Sequence, residues 1–253
     1  MTKSNIKGKL SFKSVSEQSA EIKILKNLQS RKIPDNELLE NLGMFLSSKN
    51  LSRILCLDFL YKQQIKINGN IFDFGTRWGQ NASLFSTLRG IYEPFNRHKR
   101  VFAFDTFSGF NKINKKDGKS RLMKVGNLKT TQDYPKFLQN HLDLIDSLNP
   151  ISHIKKNMVN KGDAPKILKE LLKKNQELIV SLAYFDFDLY EPTLKCLELL
   201  KPRMVKGTVL AFDELNDKDS PGETLALMKS IGLNNIRLER FKYASRISYC
   251  IFN

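Results

Sequence analysis

Two apolar runs in this sequence each end in a pair of acids. Residues 184–190 read Tyr-Phe-Asp-Phe-Asp-Leu-Tyr, and residues 210–215 read Leu-Ala-Phe-Asp-Glu-Leu. If both are strands of one parallel sheet, Asp186, Asp188, Asp213 and Glu214 converge at its edge, where neighbouring strands stand roughly 4.8 Å apart. Carboxylates crowded this closely raise one another's pKa values or demand a cation. Hard oxygen donors suit Mg²⁺ or a similar divalent ion, so these four acids are the candidate metal ligands. The plainer alternative is a set of separate caps and solvated loop acids. An ion at the cleft would lower the pKa of a hydroxyl, and a carboxylate not engaged by the ion would take its proton.

A second group of residues has the spacing of a nucleoside site. Residues 71–79, Ile-Phe-Asp-Phe-Gly-Thr-Arg-Trp-Gly, pass from an apolar strand into a helix. Gly75 and Gly79 allow the backbone to approach a ligand closely, with Asp73, Thr76 and Arg77 beside them. Arg77 stands where a dinucleotide fingerprint needs its second glycine, which disfavours a pyrophosphate cradle; the two glycines fit an adenosyl cofactor or, equally, a plain strand-to-helix turn. About thirty residues on, Asp105 ends the run Val-Phe-Ala-Phe-Asp, and Thr106 and Phe107 follow it. A carboxylate there is placed to accept both hydroxyls of a ribose. Gly162 and Asp163 sit in Lys-Gly-Asp-Ala-Pro at 161–165. Asp163 either contacts an adenine or caps the next helix.

These residues need elements to position them, and the chain supplies a regular alternation. Apolar runs at 71–74, 100–104, 156–160, 179–187 and 208–212 read as strands, and amphipathic stretches at 81–91, 164–174 and 193–200 read as helices between them. The end differs. Residues 235–243 and 246–252 are strand-like runs joined by a short Ala-Ser turn, which predicts a terminal antiparallel hairpin. Helical spacing at 36–46 and 51–66 predicts helices ahead of the sheet. The expected architecture is α/β and Rossmann-like: a parallel sheet with a C-terminal antiparallel hairpin and helices on both faces. An N-terminal helical extension at 1–68 precedes a catalytic domain at 69–253, with an insertion at 108–156 as a substrate lid.

Length and composition agree with one core. The chain has 253 residues, 41% hydrophobic and 27% charged, which suits one sizeable α/β domain rather than two. The first fourteen residues lack the apolar stretch of a signal peptide, and no run approaches the roughly 20 apolar residues of a membrane span. A cytoplasmic protein is expected. Cys56, Cys196 and Cys250 have no partner at metal-ligand spacing and read as thiols in a reducing compartment. His98, His141 and His153 form no constellation. The formal net charge of +16 is mostly scattered lysine. One stretch is more pointed: Lys112, Lys115, Lys116, Lys119, Arg121, Lys124 and Lys129 surround a single acid, Asp117. It is expected to be a mobile basic loop.

Six blocks in this order resemble the macrocin and mycinamicin type (TylF-like) of sugar O-methyltransferases and their relatives in surface-polysaccharide pathways. They are the Gly75 turn, the 101–109 block around Asp105, Lys161-Gly-Asp, Asp-Phe-Asp-Leu-Tyr-Glu-Pro-Thr at 186–193, Gly-Thr-Val-Leu-Ala-Phe-Asp-Glu at 207–214, and Pro-Gly-Glu-Thr at 221–224. Five parallel strands and a terminal hairpin are also the strand plan of class I methyltransferases. The resemblance implies S-adenosylmethionine at the first two blocks, Mg²⁺ at the acidic strand ends, and an Asp of the Asp-x-Asp block at the reacting hydroxyl. By carry-over Asp188 is the base, Asp186 serves site and cofactor, and Asp186, Asp188, Asp213 and Glu214 form the ligand pool. Relatives often have a second Asp where Glu214 stands. A homo-oligomer and a nucleotide-sugar substrate are likewise implied, the basic stretch then facing the pyrophosphate.

The net charge also motivates a rival, a nucleic-acid-binding protein or RNA methyltransferase. Against it stand the lack of any RNA-binding module and an acidic cleft that repels phosphate. A catalytically silent scaffold is a third reading, disfavoured by acids at every relevant strand end.

Overall fold

A computed structural model describes residues 14–243 and 246–252. The reading of the extreme N-terminus and the Ala-Ser turn at 244–245 fall outside the described residues. The chain divides into two compact units, Met1–Leu55 and Cys56–Asn253.

In the first unit, Val15–Gln29 forms helix α1, closed by a capping box. The Ser14 side chain accepts from the Glu17 amide, and the Glu17 carboxylate accepts from the Ser14 amide at 2.7 Å. The helix expected at 36–46 is broken. Only Asp35–Leu38 is α-helical (α2), and Leu42–Phe45 is a 3₁₀ turn. Asn41 and Gly43 interrupt it, both poor helix formers. Ser48–Gln64 forms α3, the second expected helix, and the division between units falls inside it.

The second unit is a seven-stranded sheet. Asn70–Phe74 (β1), Val101–Asp105 (β2), Asn157–Lys161 (β3), Val180–Phe185 (β4) and Met204–Phe212 (β5) run parallel, and Ser248–Ile251 (β7) joins antiparallel to β5. The spatial order is β3-β2-β1-β4-β5-β7-β6, with the two-residue strand Glu239–Arg240 (β6) at the edge. The terminal hairpin therefore forms with its second strand inserted next to β5. The helices are Gln80–Tyr92 (α4), Tyr134–Ser147 (α5), Ala164–Lys174 (α6), Tyr190–Leu200 (α7) and Gly222–Ser230 (α8).

Strand pleating sorts the side chains into two cores. Ile71, Val101, Ala103, Leu182, Tyr184 and Val209 face α3, α4 and α5. Their neighbours Phe72, Phe74, Phe102, Phe104, Phe185 and Phe212 face the other way, toward α6, α7 and α8. These six rings stack across the strands, with centroids 5.0 Å apart for Phe74 and Phe104 and 4.9 Å for Phe74 and Phe185. Burying each contributes about 1.5–3 kcal/mol. Strands β1, β2 and β4 and the end of β5 are therefore buried along almost their whole length, as strands covered on both faces are.

Residues 108–156 hold α5, which the sequence reading did not anticipate. Its Leu138 and Leu142, one turn apart, are buried. Its Asp146 carboxylate, also buried, pairs with Arg89 of α4 and lies 3.3 Å from the Lys156 ammonium. Three buried charges thus lock the end of the insertion to the sheet.

Candidate active site

Successive strands move outward in one direction from β1 to β3 and in the other from β4, so the switch point lies between β1 and β4. Crevices at such points are where doubly wound sheets take ligands. The residues singled out from the sequence do gather along this carboxyl edge.

On the β1 side the backbone turns sharply at Gly75, with φ of 81°, and the Asp186 amide donates to the Phe74 carbonyl at 2.9 Å. Asp73 is buried and accepts from the Asn81 side chain at 3.3 Å. Gly79, with φ of 76°, precedes α4. Asp105 ends β2, where its two oxygens accept from the Arg77 amide at 2.9 Å and the Phe107 amide at 2.6 Å. Burial raises its pKa, and those two amides oppose the shift. Each carboxylate oxygen keeps a second lone pair, as a ribose diol requires. Thr106 turns its hydroxyl to the Gly109 carbonyl at 2.8 Å.

Two polar atoms in this turn are buried with no hydrogen-bond partner among the described residues, the Thr76 hydroxyl and the Arg77 Nε. Orphaned groups of this kind cost stability unless something else satisfies them. Together with the Gly75 approach and the Asp105 carboxylate, they fit an adenosyl cofactor. Asp163 is exposed and caps α6, its Oδ1 accepting from the Lys166 amide at 3.0 Å. Gly162 hydrogen-bonds through its amide to the Asp105 carbonyl at 2.8 Å.

The acids of the other two strands are adjacent, because β4 and β5 pair with Phe185 opposite Phe212. Asp213 follows directly and accepts from the Tyr184 hydroxyl at 2.7 Å. Asp188 is buried at a φ of 60°. Burial first, and then the Asp213 charge, push its pKa up to about 7, while Arg246 and Arg77 pull against them. Behind it lies an acid that the sequence reading named only within a block. Glu223 of α8 is wholly buried, and burial together with Asp188, Asp186 and Asp213 raises its pKa well above the usual carboxylate range.

Glu214 is buried, and its carboxylate is paired with the Arg246 guanidinium, whose charge also acts on Asp188. Among the described residues, no three His, Cys, Asp or Glu side chains are grouped as a metal cage. The donor set nevertheless has the chemistry for a hard cation: oxygen ligands only, with mutual repulsion that a divalent charge would relieve.

The basic stretch is not a free loop. All seven of its cations are exposed, yet its single acid, Asp117, is buried. The Ser120 amide donates to the Asp219 carbonyl at 3.1 Å, and Thr130 returns to the Phe107 carbonyl. The Lys116 ammonium sits 4.0 Å from the centroid of the Tyr190 ring. The stretch expected to be mobile is therefore docked along the edge that carries the acids. All three cysteines are buried thiols, and the three histidines are exposed.

No protein-family profile matches the sequence, and a search of curated proteins finds no match. Solved structures do match. The crystal structure of CalS11, a calicheamicin methyltransferase, is 33% identical over 96% of this chain and 95% of that one, with a TM-score of 0.93. An apo structure of CalS11, described as a TDP-rhamnose 3'-O-methyltransferase of calicheamicin biosynthesis, is 31% identical over 96% and 97%, with a TM-score of 0.85. The O-methyltransferase NovP, 16% identical over 80% of each chain with a TM-score of 0.58, shares the fold.

Fold and site together define a class I S-adenosylmethionine-dependent O-methyltransferase. The near full-length likeness narrows this further: the chain belongs to the TylF/CalS11 type of sugar O-methyltransferases. No described helix is long and apolar enough to cross a membrane.

Proposed function

We propose that this enzyme methylates a hydroxyl of a sugar carried on a nucleoside diphosphate, for a surface polysaccharide or a glycosylated natural product. The observation that carries the proposal is the likeness to CalS11 over both chains, a protein described as acting on TDP-rhamnose. The exposed cations of the docked basic stretch support it, since they border the acid-bearing edge and offer an anionic acceptor a binding surface.

In this reading the Gly75 turn, Thr76, Arg77 and Asp105 hold S-adenosylmethionine, with Asp73, Gly79, Thr106, Phe107, Gly162, Asp163 and Asp186 completing the surround. Bound there, the cofactor supplies an electrophilic methyl on a sulfonium. Asp188 takes the acceptor's hydroxyl proton as its oxygen forms the new bond to the methyl carbon. With the cofactor bound, the electron pair of the carbon–sulfur bond would stay on sulfur as a neutral thioether, which balances the transfer. The raised pKa of Asp188 suits it to accept a proton near neutrality. Burial at the cleft keeps water from competing, and fixed positions replace a rare encounter of three atoms in line.

We also propose that Asp186, Asp188 and Asp213 hold Mg²⁺, with Glu214 joining once Arg246 yields it. A divalent ion supplies Lewis acidity toward the acceptor oxygen. We further assign the protein to the cytoplasm, as its sequence suggests, and, following the family resemblance, to a homo-oligomer.

The rival RNA methyltransferase reading makes the same cations a nucleic-acid surface. A mass-spectrometric screen separates the two: purified protein with S-adenosylmethionine, Mg²⁺ and a panel of TDP-, UDP- and GDP-sugars, against transfer RNA and ribosomal RNA. Gain of one methyl mass on a nucleotide sugar supports the proposal. Methylated RNA with unmodified sugars defeats it.

A further inference from the structure

We propose that Asp117, carried by the basic insertion, is a positioning residue for Asp188: it clamps the loop bearing that acid from one side while Glu223 clamps it from the other. The inference rests on the reading of Asp188 as the proton acceptor.

The loop from β4 to α7 is short and strained. Asp188 sits in the left-handed region, uncommon for a residue with a Cβ, and such a conformation persists only where its surroundings over-determine it. Two buried carboxylates do so here. One oxygen of Glu223 accepts from the Phe187 amide at 2.9 Å and the Asp188 amide at 3.2 Å. One oxygen of Asp117 accepts from the Tyr190 amide at 2.7 Å. The amide before Asp188, its own, and the second one after it are thus all held by acids distant in sequence.

The Asp117 contact is not an incidental cap. Tyr190 opens α7, and the first four amides of a helix lack intrahelical partners. The residue in the usual capping position is Leu189, whose side chain makes no capping bond. Asp117 fills the role from 73 positions away in sequence. Its other oxygen accepts from the Asn114 amide at 2.6 Å, closing its own 3₁₀ turn. One buried side chain therefore ties the insertion's fold to the loop that carries Asp188. The close seat leaves no slack, since a Cβ at Gly222 would stand 2.7 Å from both the Asp188 carbonyl and the Tyr190 amide.

The consequence is a coupling. Lys116, adjacent to Asp117, presents its charge over the Tyr190 ring, so the segment that meets an anionic acceptor also sets the Asp188 loop. Lys116 acts on acceptor affinity and Asp117 on turnover.

The test combines hydrogen exchange by mass spectrometry with steady-state kinetics on wild type, Asp117→Ala, Asp117→Asn and Lys116→Ala, using TDP-rhamnose or whichever nucleotide sugar the screen identifies. Loss of the bond in Asp117→Ala should speed exchange in the peptide covering 186–193 by about tenfold or more, while β1 and β2 peptides stay protected. Its kcat should fall roughly tenfold to a hundredfold with S-adenosylmethionine affinity unchanged. Asp117→Asn, which keeps an acceptor oxygen, should lie between, and it stands in if the alanine variant fails to fold. Lys116→Ala should raise KM and spare kcat. Wild-type protection of 186–193 in Asp117→Ala, or accelerated exchange with undiminished kcat, overturns the proposal. If wild type methylates no nucleotide sugar, the acceptor reading fails separately, and the exchange result alone decides the clamp.

Discussion

Gly75 and Asp186 touch across the switch point of the sheet: a Cβ added at Gly75 would stand 2.0 Å from the Asp186 carbonyl oxygen. Backbone cannot yield as a flexible side chain can, and the φ of 81° already excludes most residues. Gly75→Ala should therefore separate the cofactor turn from the acid loop. The expected outcome is a loss of S-adenosylmethionine affinity of at least about tenfold, together with destabilisation of more than about 1 kcal/mol. Titration calorimetry and urea unfolding measure the two. Unchanged affinity would remove Gly75 from the site.

Asp105 supplies the second test of the cofactor site. Replacing it with Ala removes a buried acceptor of two amides and, in the proposed complex, of two ribose hydroxyls. Affinity for S-adenosylmethionine should drop by roughly tenfold to a hundredfold. Full affinity in a folded Asp105→Ala variant would place the ribose elsewhere.

The phenylalanine face makes a prediction about stability alone. Phe104 is fully buried against Phe72 and Phe74, so Phe104→Ala should cost about 3–5 kcal/mol. A loss below about 1 kcal/mol in urea unfolding would mean that the stack is not part of the core.

That face was the most legible feature of the sequence. Ile-Phe-Asp-Phe and Val-Phe-Ala-Phe-Asp alternate at the period of a strand, so five strands and the acids at their ends could be placed from pattern alone. Other features depend on partners far along the chain. The helix α5 has Leu138 and Leu142 at helical spacing, but a polar, lysine-rich approach hid the start of its pattern. Nothing local marks Glu223 and Asp117 as buried acceptors, because the amides they hold lie 35 and 73 positions away. The pairing of Glu214 with Arg246 likewise joins two residues that only the folded chain brings together.

The proposed divalent ion gives a further expectation. Chelator-treated enzyme should lose turnover and regain it with added Mg²⁺, and Asp213→Asn should raise the Mg²⁺ concentration needed for half-maximal activity, since it removes a charge from the donor set. Arg246→Ala, by releasing Glu214, should lower that concentration. Full turnover in metal-free enzyme would remove the ion from the mechanism and leave Asp188 to act without it.

The central claim is that this chain moves a methyl group from S-adenosylmethionine to a nucleotide-linked sugar, with Asp188 taking the proton. Its most direct test is transfer of label from methyl-labelled S-adenosylmethionine to TDP-rhamnose and related nucleotide sugars, comparing wild type with Asp188→Asn at saturating cofactor and Mg²⁺. Wild type should give a labelled sugar product and the variant a kcat at least about a hundredfold lower, with the loss persisting at high acceptor concentration. Wild-type turnover in Asp188→Asn would contradict the assigned role, and label appearing in RNA but in no sugar would contradict the claim itself.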